Sequence, residues 1–133
     1  MSYLLDPHTL LWILFEPSKL SSVALSVLED SHQEISVSAI SFWEISLKHG
    51  LGKLNLPATS PEELPQATQS MGFTIAELDP TLLASYHHLL PQPDHKDPFD
   101  RLLIWQALQC HHCLISKDKK MKLYADQGLQ TLW

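Results

Sequence analysis

Short apolar runs alternate along this chain with longer stretches in which apolar residues recur every third or fourth position. Tyr3, Leu4 and Leu5 form the first run and stop at Asp6-Pro7, which predicts a buried strand halted at its carboxyl end. Residues 9–15 then read as a brief helix closed by Glu16-Pro17. Ser18 is placed to cap a second helix, with Leu20, Val23, Ala24, Val27 and Leu28 as its inner stripe. Ile35-Ser36-Val37 predicts a second strand, and Ser38 caps a third helix carrying Ile40, Trp43, Leu47 and Leu51 along one side, closed by Gly50 and Gly52. After a polar connection over 54–61, a helix is expected over 62–71, with Pro65 confined to an early turn. A strand is expected over 73–78 and a helix over 81–90. The stiff Pro91-Gln92-Pro93 loop leads to a helix opening at Pro98. A strand over 113–116 stopped by Lys117-Asp118, a short helix over 119–126 and a last strand over 129–133 complete the chain. Strands alternating with helices argue for a parallel sheet covered on both faces, with right-handed crossovers.

Acids stand at positions where this pattern makes them costly. Asp97, Pro98 and Asp100 read as a helix start, with an Asp cap, Pro at the first helical position and an acid at the third. Yet Asp100 lies three, four and seven residues before Leu103, Ile104 and Ala107, so it shares their face. Glu44 sits four after Ile40 and three before Leu47, inside an apolar stripe, although a surface pair with Lys48 at i,i+4 spacing is the alternative. Asp6 and Asp118 each fall one or two residues past a strand end, where each could also simply cap the following helix. In open parallel sheets ligands bind beyond the carboxyl ends of the strands, so the topology can bring all four acids to one rim. Carboxylates gathered there repel and call for a divalent cation. Hard oxygen donors without a His or Cys cluster favour Mg²⁺ or Mn²⁺ over zinc. Such ions bind phosphates and activate water, and Lys96, Arg101, Lys117 and Lys119 would ring the cluster and hold a phosphate backbone. No Gly-rich phosphate loop is present, which argues against nucleoside triphosphate chemistry.

The 133 residues, 44% hydrophobic and 18% charged, suit a single domain over 1–133 with a sizeable core. No apolar run approaches the roughly 20 residues of a membrane span, and Met-Ser-Tyr-Leu-Leu-Asp lacks the basic start of a signal peptide. A cytoplasmic protein is expected, with Cys110 and Cys113 as reduced structural thiols. The net charge of −6 is uneven. Residues 1–94 carry 3 bases and 11 acids, and residues 95–133 carry 6 bases and 4 acids, so it divides into −8 and +2. A blanket nucleic-acid surface is excluded and a local basic rim around an acidic centre is not.

Four segments carry a resemblance: YLLDPHTLLW (3–12), SVSAISFWEI (36–45), HKDPFDRLL (95–103) and LISKD (114–118). In this order they resemble the PIN-domain ribonucleases, and within them the VapC-type toxins of bacterial toxin–antitoxin pairs, in the branch that carries HKDPFDR. The resemblance spans essentially the whole chain. It implies a three-layer α/β/α sandwich with a central parallel sheet and a Mg²⁺-dependent endoribonuclease acting on single-stranded or loop RNA. It also implies a homodimer and inhibition by a cognate antitoxin. The family's acids fall on Asp6, Glu44, Asp100 and Asp118, and Ser116 matches a hydroxyl that supports the metal-bound water. Asp97 belongs to the branch motif and is expected to cap a helix or support the site from behind. Two departures stand out: Pro7 replaces the branch's usual Thr, and the overall acidity leaves RNA binding to the local basic rim. The rivals are a catalytically silent PIN-like binding module, whose acids only cap helices, and a structure-selective DNA nuclease of the same fold. Retention of all four acids argues against the first. The second usually carries an inserted arch or extra domains, for which 133 residues leave no room.

Overall fold

Tyr3, Leu4 and Leu5 of the first strand are buried because both of its faces are covered. The computed structural model describes residues 1–133. Strand β1 (Ser2–Leu5) sends Tyr3 and Leu5 into one core and Leu4 into another. Strand β4 (Cys113–Ile115) divides the same way, with Cys113 and Ile115 on one side and Leu114 on the other. The two-residue period of a strand thus turns a continuous apolar run into two cores. The first core is filled by Leu10 and Ile13 of helix α1 (Pro7–Phe15), Ala24 and Leu28 of α2 (Ser22–Glu29), Ile45 of α3 (Ala39–Gly50) and Leu64 of α4 (Leu64–Ser70). The second is filled by Leu103, Ile104, Trp105 and Ala107 of a helix running Pro98–Gln109, together with Met121 and Tyr124 of the 3-10 helix Lys119–Gln127. The expected three-layer sandwich is therefore what the chain forms.

Strands β2 (Glu34–Ser38), β3 (Thr74–Ala76) and β5 (Gln130–Leu132) complete a five-stranded sheet in the order β3-β2-β1-β4-β5, with all neighbours parallel. The chain walks outward from β1 through β2 to β3, then crosses back to lay β4 on the other side of β1. The seam between β1 and β4 is thus the point where strand order reverses, and a crevice opens beyond the strand ends there. It is pinned by the register Leu5 to Ile115. The Asp6 amide donates to the Ile115 carbonyl at 3.3 Å, and the buried Thr9 hydroxyl donates to the same oxygen at 3.0 Å.

Three elements depart in detail from the sequence pattern. Ser21, not Ser18, caps α2, because Pro17–Lys19 closes into a separate 3-10 turn; Val23 of the expected inner stripe is exposed. The helix expected over 81–90 is α5 (Pro80–Ala84) followed by a 3-10 turn, Ser85–His88. The Ser85 hydroxyl donates to the Leu82 carbonyl at 3.0 Å, offering the backbone an alternative to a continued α-helix. The third departure bears on the site. The apolar side of α3 faces outward: Trp43 is 60% exposed, Leu47 41% and Leu51 61%, while Ser41, Glu44 and Ile45 are buried. Trp43 rests edge-on against Phe99, 5.2 Å between ring centres. The last α-helix, α6 (Pro98–Gln109), opens as the sequence predicts, with Asp97 as cap and Pro98 at its first position. No helix is long and apolar enough to cross a membrane.

Candidate active site

Asp100 and Asp118 meet beyond the seam between β1 and β4, Asp6 stands at the seam itself, and Glu44 lies near enough to Asp100 to act on its charge. Asp6 leaves β1 at its carboxyl end and caps α1, its Oδ1 accepting from the Thr9 amide at 2.8 Å. Pro7 costs nothing here, since the first helical position has no backbone hydrogen bond to lose. The other Asp6 oxygen accepts from the Ser116 hydroxyl across the seam at 2.5 Å, and Ser116 Oγ in turn accepts from the Asp118 amide at 3.1 Å. Asp6 and Ser116 are both buried, so this bridge fixes one carboxylate at the mouth of the crevice.

Asp118 caps the 3-10 helix through Oδ1, which accepts from the Lys120 amide at 2.9 Å. It is exposed, and it lies beside Asp100: one ligating atom from each of His95, Asp100 and Asp118 falls within 4.8 Å of the others. Asp6 and Glu44 lie outside that tight set. Glu44 is 6% exposed and accepts from the Lys48 ammonium at 2.6 Å, so burial and the i,i+4 pair occur together. Asp97 Oδ1 accepts from the amides of Phe99 and Asp100, at 2.9 and 3.2 Å, and is a helix cap.

The like charges that bear on Asp100 are those of Asp97 and Glu44. Burial, then the charges of Asp97 and Glu44, push the Asp100 carboxyl above its ordinary value of 3.8, against the pull of a hydrogen bond from His95. Burial works to lower the Lys48 ammonium, but its bond to Glu44 and the charges of Glu44, Asp97 and Asp100 outweigh it and hold it above its usual range. Lys48 thus sits among three of the acids as a resident positive charge.

His95, to which the sequence pattern alone gives no role, is buried and bonded on both nitrogens. Arg101 Nη1 donates to the Tyr124 hydroxyl oxygen at 2.9 Å, and a guanidinium can only donate. His95 Nδ1 lies 3.0 Å from the Tyr124 hydroxyl and its Nε2 lies 3.0 Å from Asp100 Oδ2; a carboxylate accepts, so Nε2 carries the hydrogen of that second bond. This chain of bonds aims one Asp100 oxygen and makes His95 an orienting group. The signal for it was the lone histidine directly ahead of the Lys-Asp-Pro-Phe-Asp run.

Arg101, expected at a phosphate, is instead spent inside the protein. Besides Tyr124 it donates to the Tyr86 hydroxyl at 2.9 Å and to the carbonyls of Leu89 and Leu90, each at 3.3 Å. Lys96 and Lys117 are exposed, and Lys117 lies 5.8 Å above the Trp12 ring.

The donor set suits a hard divalent cation. Each helix cap takes one carboxylate oxygen and leaves lone pairs to spare, the acids crowd one another, and the one nearby histidine already donates to Asp100. Asp100 and Asp118 could hold such an ion through carboxylate oxygens, with Asp6 and Glu44 as further oxygen donors outside the tight set.

No protein-family model matches the chain. It is 29% identical over 133 residues, 98% of its own length and 97% of the relative's, to Ribonuclease VapC22 of Mycobacterium tuberculosis. Among solved structures it is similar to VapBC2 of Rickettsia felis bound to a DNA fragment from its promoter, with a TM-score of 0.68, 16% identity and coverage of 99% of this chain and 98% of that one. It is also similar to VapBC-1 of nontypeable Haemophilus influenzae, with a TM-score of 0.61, 17% identity and coverage of 99% and 97%. The chain is thus similar from end to end to a protein named as a VapC ribonuclease, and it shares its parallel three-layer fold with proteins solved as VapBC complexes.

Proposed function

We propose that this chain is a divalent-metal-dependent endoribonuclease that acts in the cytoplasm as the toxin of a toxin–antitoxin pair, cutting single-stranded or loop RNA. The observation that carries the reading is the meeting of Asp100 and Asp118 within 4.8 Å, tied through Ser116 to Asp6 at the strand-order reversal. The relative named a ribonuclease supports the activity, and neighbours solved as toxin–antitoxin complexes support a cognate antitoxin. A bound Mg²⁺ or Mn²⁺ would offset the carboxylate repulsion, bind the phosphate and make a water more acidic. The protein's own residues do the rest. Ser116 and Thr9 hold Asp6, His95 aims Asp100, and Lys48 holds Glu44 in the buried wall of the crevice. HKDPFDR acquires a physical sense in this scheme: His95 and Arg101 orient and brace, Asp97 caps, and Asp100 ligates.

Purified chain, freed of any antitoxin, is expected to cut a single-stranded RNA in Mg²⁺ or Mn²⁺ and to stop when EDTA is added. Cleavage that survives EDTA would refute the metal-dependent reading. Asp97→Asn is expected to keep most of the activity and to cost no more than a few tenths of a kcal/mol in stability, roughly the difference between Asn and Asp as caps. An inactive but folded Asp97→Asn protein would make Asp97 a ligand.

A further inference from the structure

The seam continues into a pocket that the acids do not explain. A cavity of about 550 Å³ opens beside Ser116 and Asp118, walled by Lys117, Lys119 and Lys122 and by Trp133. That volume falls within the roughly 300–1,000 Å³ of small-ligand sites. Residues 117–122 hold four of the chain's nine basic residues, in a protein of net charge −6. The ammonium groups of Lys117, Lys119 and Lys122 make no ion pair, whereas Lys19 and Lys48 do. Trp133 is half-buried and already held in place: its ring centre is 5.8 Å from that of Trp12, over which Lys117 lies at 5.8 Å. A fixed aromatic wall next to unpaired cations matches the two needs of a single-stranded nucleic acid, a surface for a base to stack on and positive charge for its phosphate.

We infer that this pocket is a nucleotide-binding subsite, in which Lys119 and Lys122 hold a backbone phosphate of single-stranded RNA and Trp133 stacks on a base. The choice of RNA rests on the function proposed above; the stacking-and-phosphate chemistry rests on the pocket. Sharing Ser116 and Asp118 with the acid cluster, the subsite seats a nucleotide next to the phosphate that the cluster handles. It also answers how an acidic protein holds a polyanion, since the positive charge is concentrated along one wall.

The test is the binding of a fluorescein-labelled ten-nucleotide oligouridylate, followed by anisotropy across a salt series in EDTA so that no cleavage intervenes. In Lys119→Ala/Lys122→Ala the affinity is expected to fall, and the slope of log K against log salt to shrink by about 0.7, the contribution of one neutralised phosphate on a single strand. Trp133→Ala is expected to weaken binding about tenfold without changing the slope, and Trp133→Phe to keep most of the affinity. Lys19→Ala/Lys53→Ala, which removes two exposed charges elsewhere, should leave the slope near native. Native affinity and slope in the Lys119/Lys122 variant, or native affinity in a folded Trp133→Ala, would overturn the subsite; if Trp133→Ala does not fold, the lysine pair decides alone. Cleavage by the native protein is scored separately. Cleavage with pocket-independent binding removes this inference and spares the nuclease, and pocket-dependent binding without cleavage does the reverse.

Discussion

Asp6→Asn and Asp100→Asn are each expected to lower RNA cleavage by about a hundredfold or more while leaving the protein folded. Groups that only orient a metal ligand are typically worth 10–100-fold, and a ligand should be worth at least the upper end. The fold should survive for local reasons. Asn at position 6 can still accept from the Thr9 amide, so the α1 cap persists. At position 100 the loss of charge relieves repulsion from Asp97 and Glu44. The folded state holds the Asp100 proton more tightly than the unfolded chain does. The carboxylate therefore costs stability once pH has risen through its raised folded value, and the cost vanishes well below 3.8. At neutral pH without metal, Asp100→Asn should melt at or above the native temperature. Native-like cleavage by both variants would end the nuclease reading, and melting of Asp100→Asn well below native would end the repulsion argument.

Arg101→Ala should be the most destabilising of the substitutions at this end of the molecule, by about 2–4 kcal/mol. Hydrogen bonds from a charged donor are worth roughly 1.5–3 kcal/mol each, and Arg101 makes four of them, to Tyr86, Tyr124, Leu89 and Leu90. They tie the 3-10 turn Ser85–His88, the segment after it and the 3-10 helix Lys119–Gln127 to α6. Lysine should not rescue, because a point charge cannot reach acceptors arrayed around a planar fork. Urea denaturation measures the loss, and a change below about 0.5 kcal/mol would show that the fork braces nothing. Activity should fall as well, through His95, because the Tyr124 hydroxyl that meets Nδ1 loses the guanidinium that holds it.

The alternation of elements, the two-faced strands and the start of α6 are local patterns, so they were legible in the sequence. Tyr3-Leu4-Leu5 and Cys113-Leu114-Ile115 read as strands buried on both faces, and they are. Glu44 is buried, as its place in the sequence pattern predicts, but not for the reason that pattern gives. It was placed on the stripe with Trp43 and Leu47, whereas the sheet takes the side of α3 bearing Ser41 and Ile45, and Glu44 is buried with those. Hydrophobic periodicity reports which face is apolar. Which face the sheet covers is decided by packing against distant segments. Arg101 shows the same limit: a cation beside an acid suggests a phosphate clamp, but the carbonyls and hydroxyls that use it come from residues 86–90 and 124, and no spacing rule links them. The Trp12–Trp133 contact joins opposite ends of the chain and was equally invisible.

The central claim, that these acids form one divalent-metal site, is tested most directly by melting the native protein and Asp100→Asn with and without Mn²⁺. A ligand present at a hundred times its Kd stabilises a folded protein by about 2.7 kcal/mol, a rise of several degrees for a chain of this size. The native melting temperature should climb with Mn²⁺ concentration, and that of Asp100→Asn should not. A native melting temperature indifferent to Mn²⁺, or an equal rise in both proteins, would contradict the site.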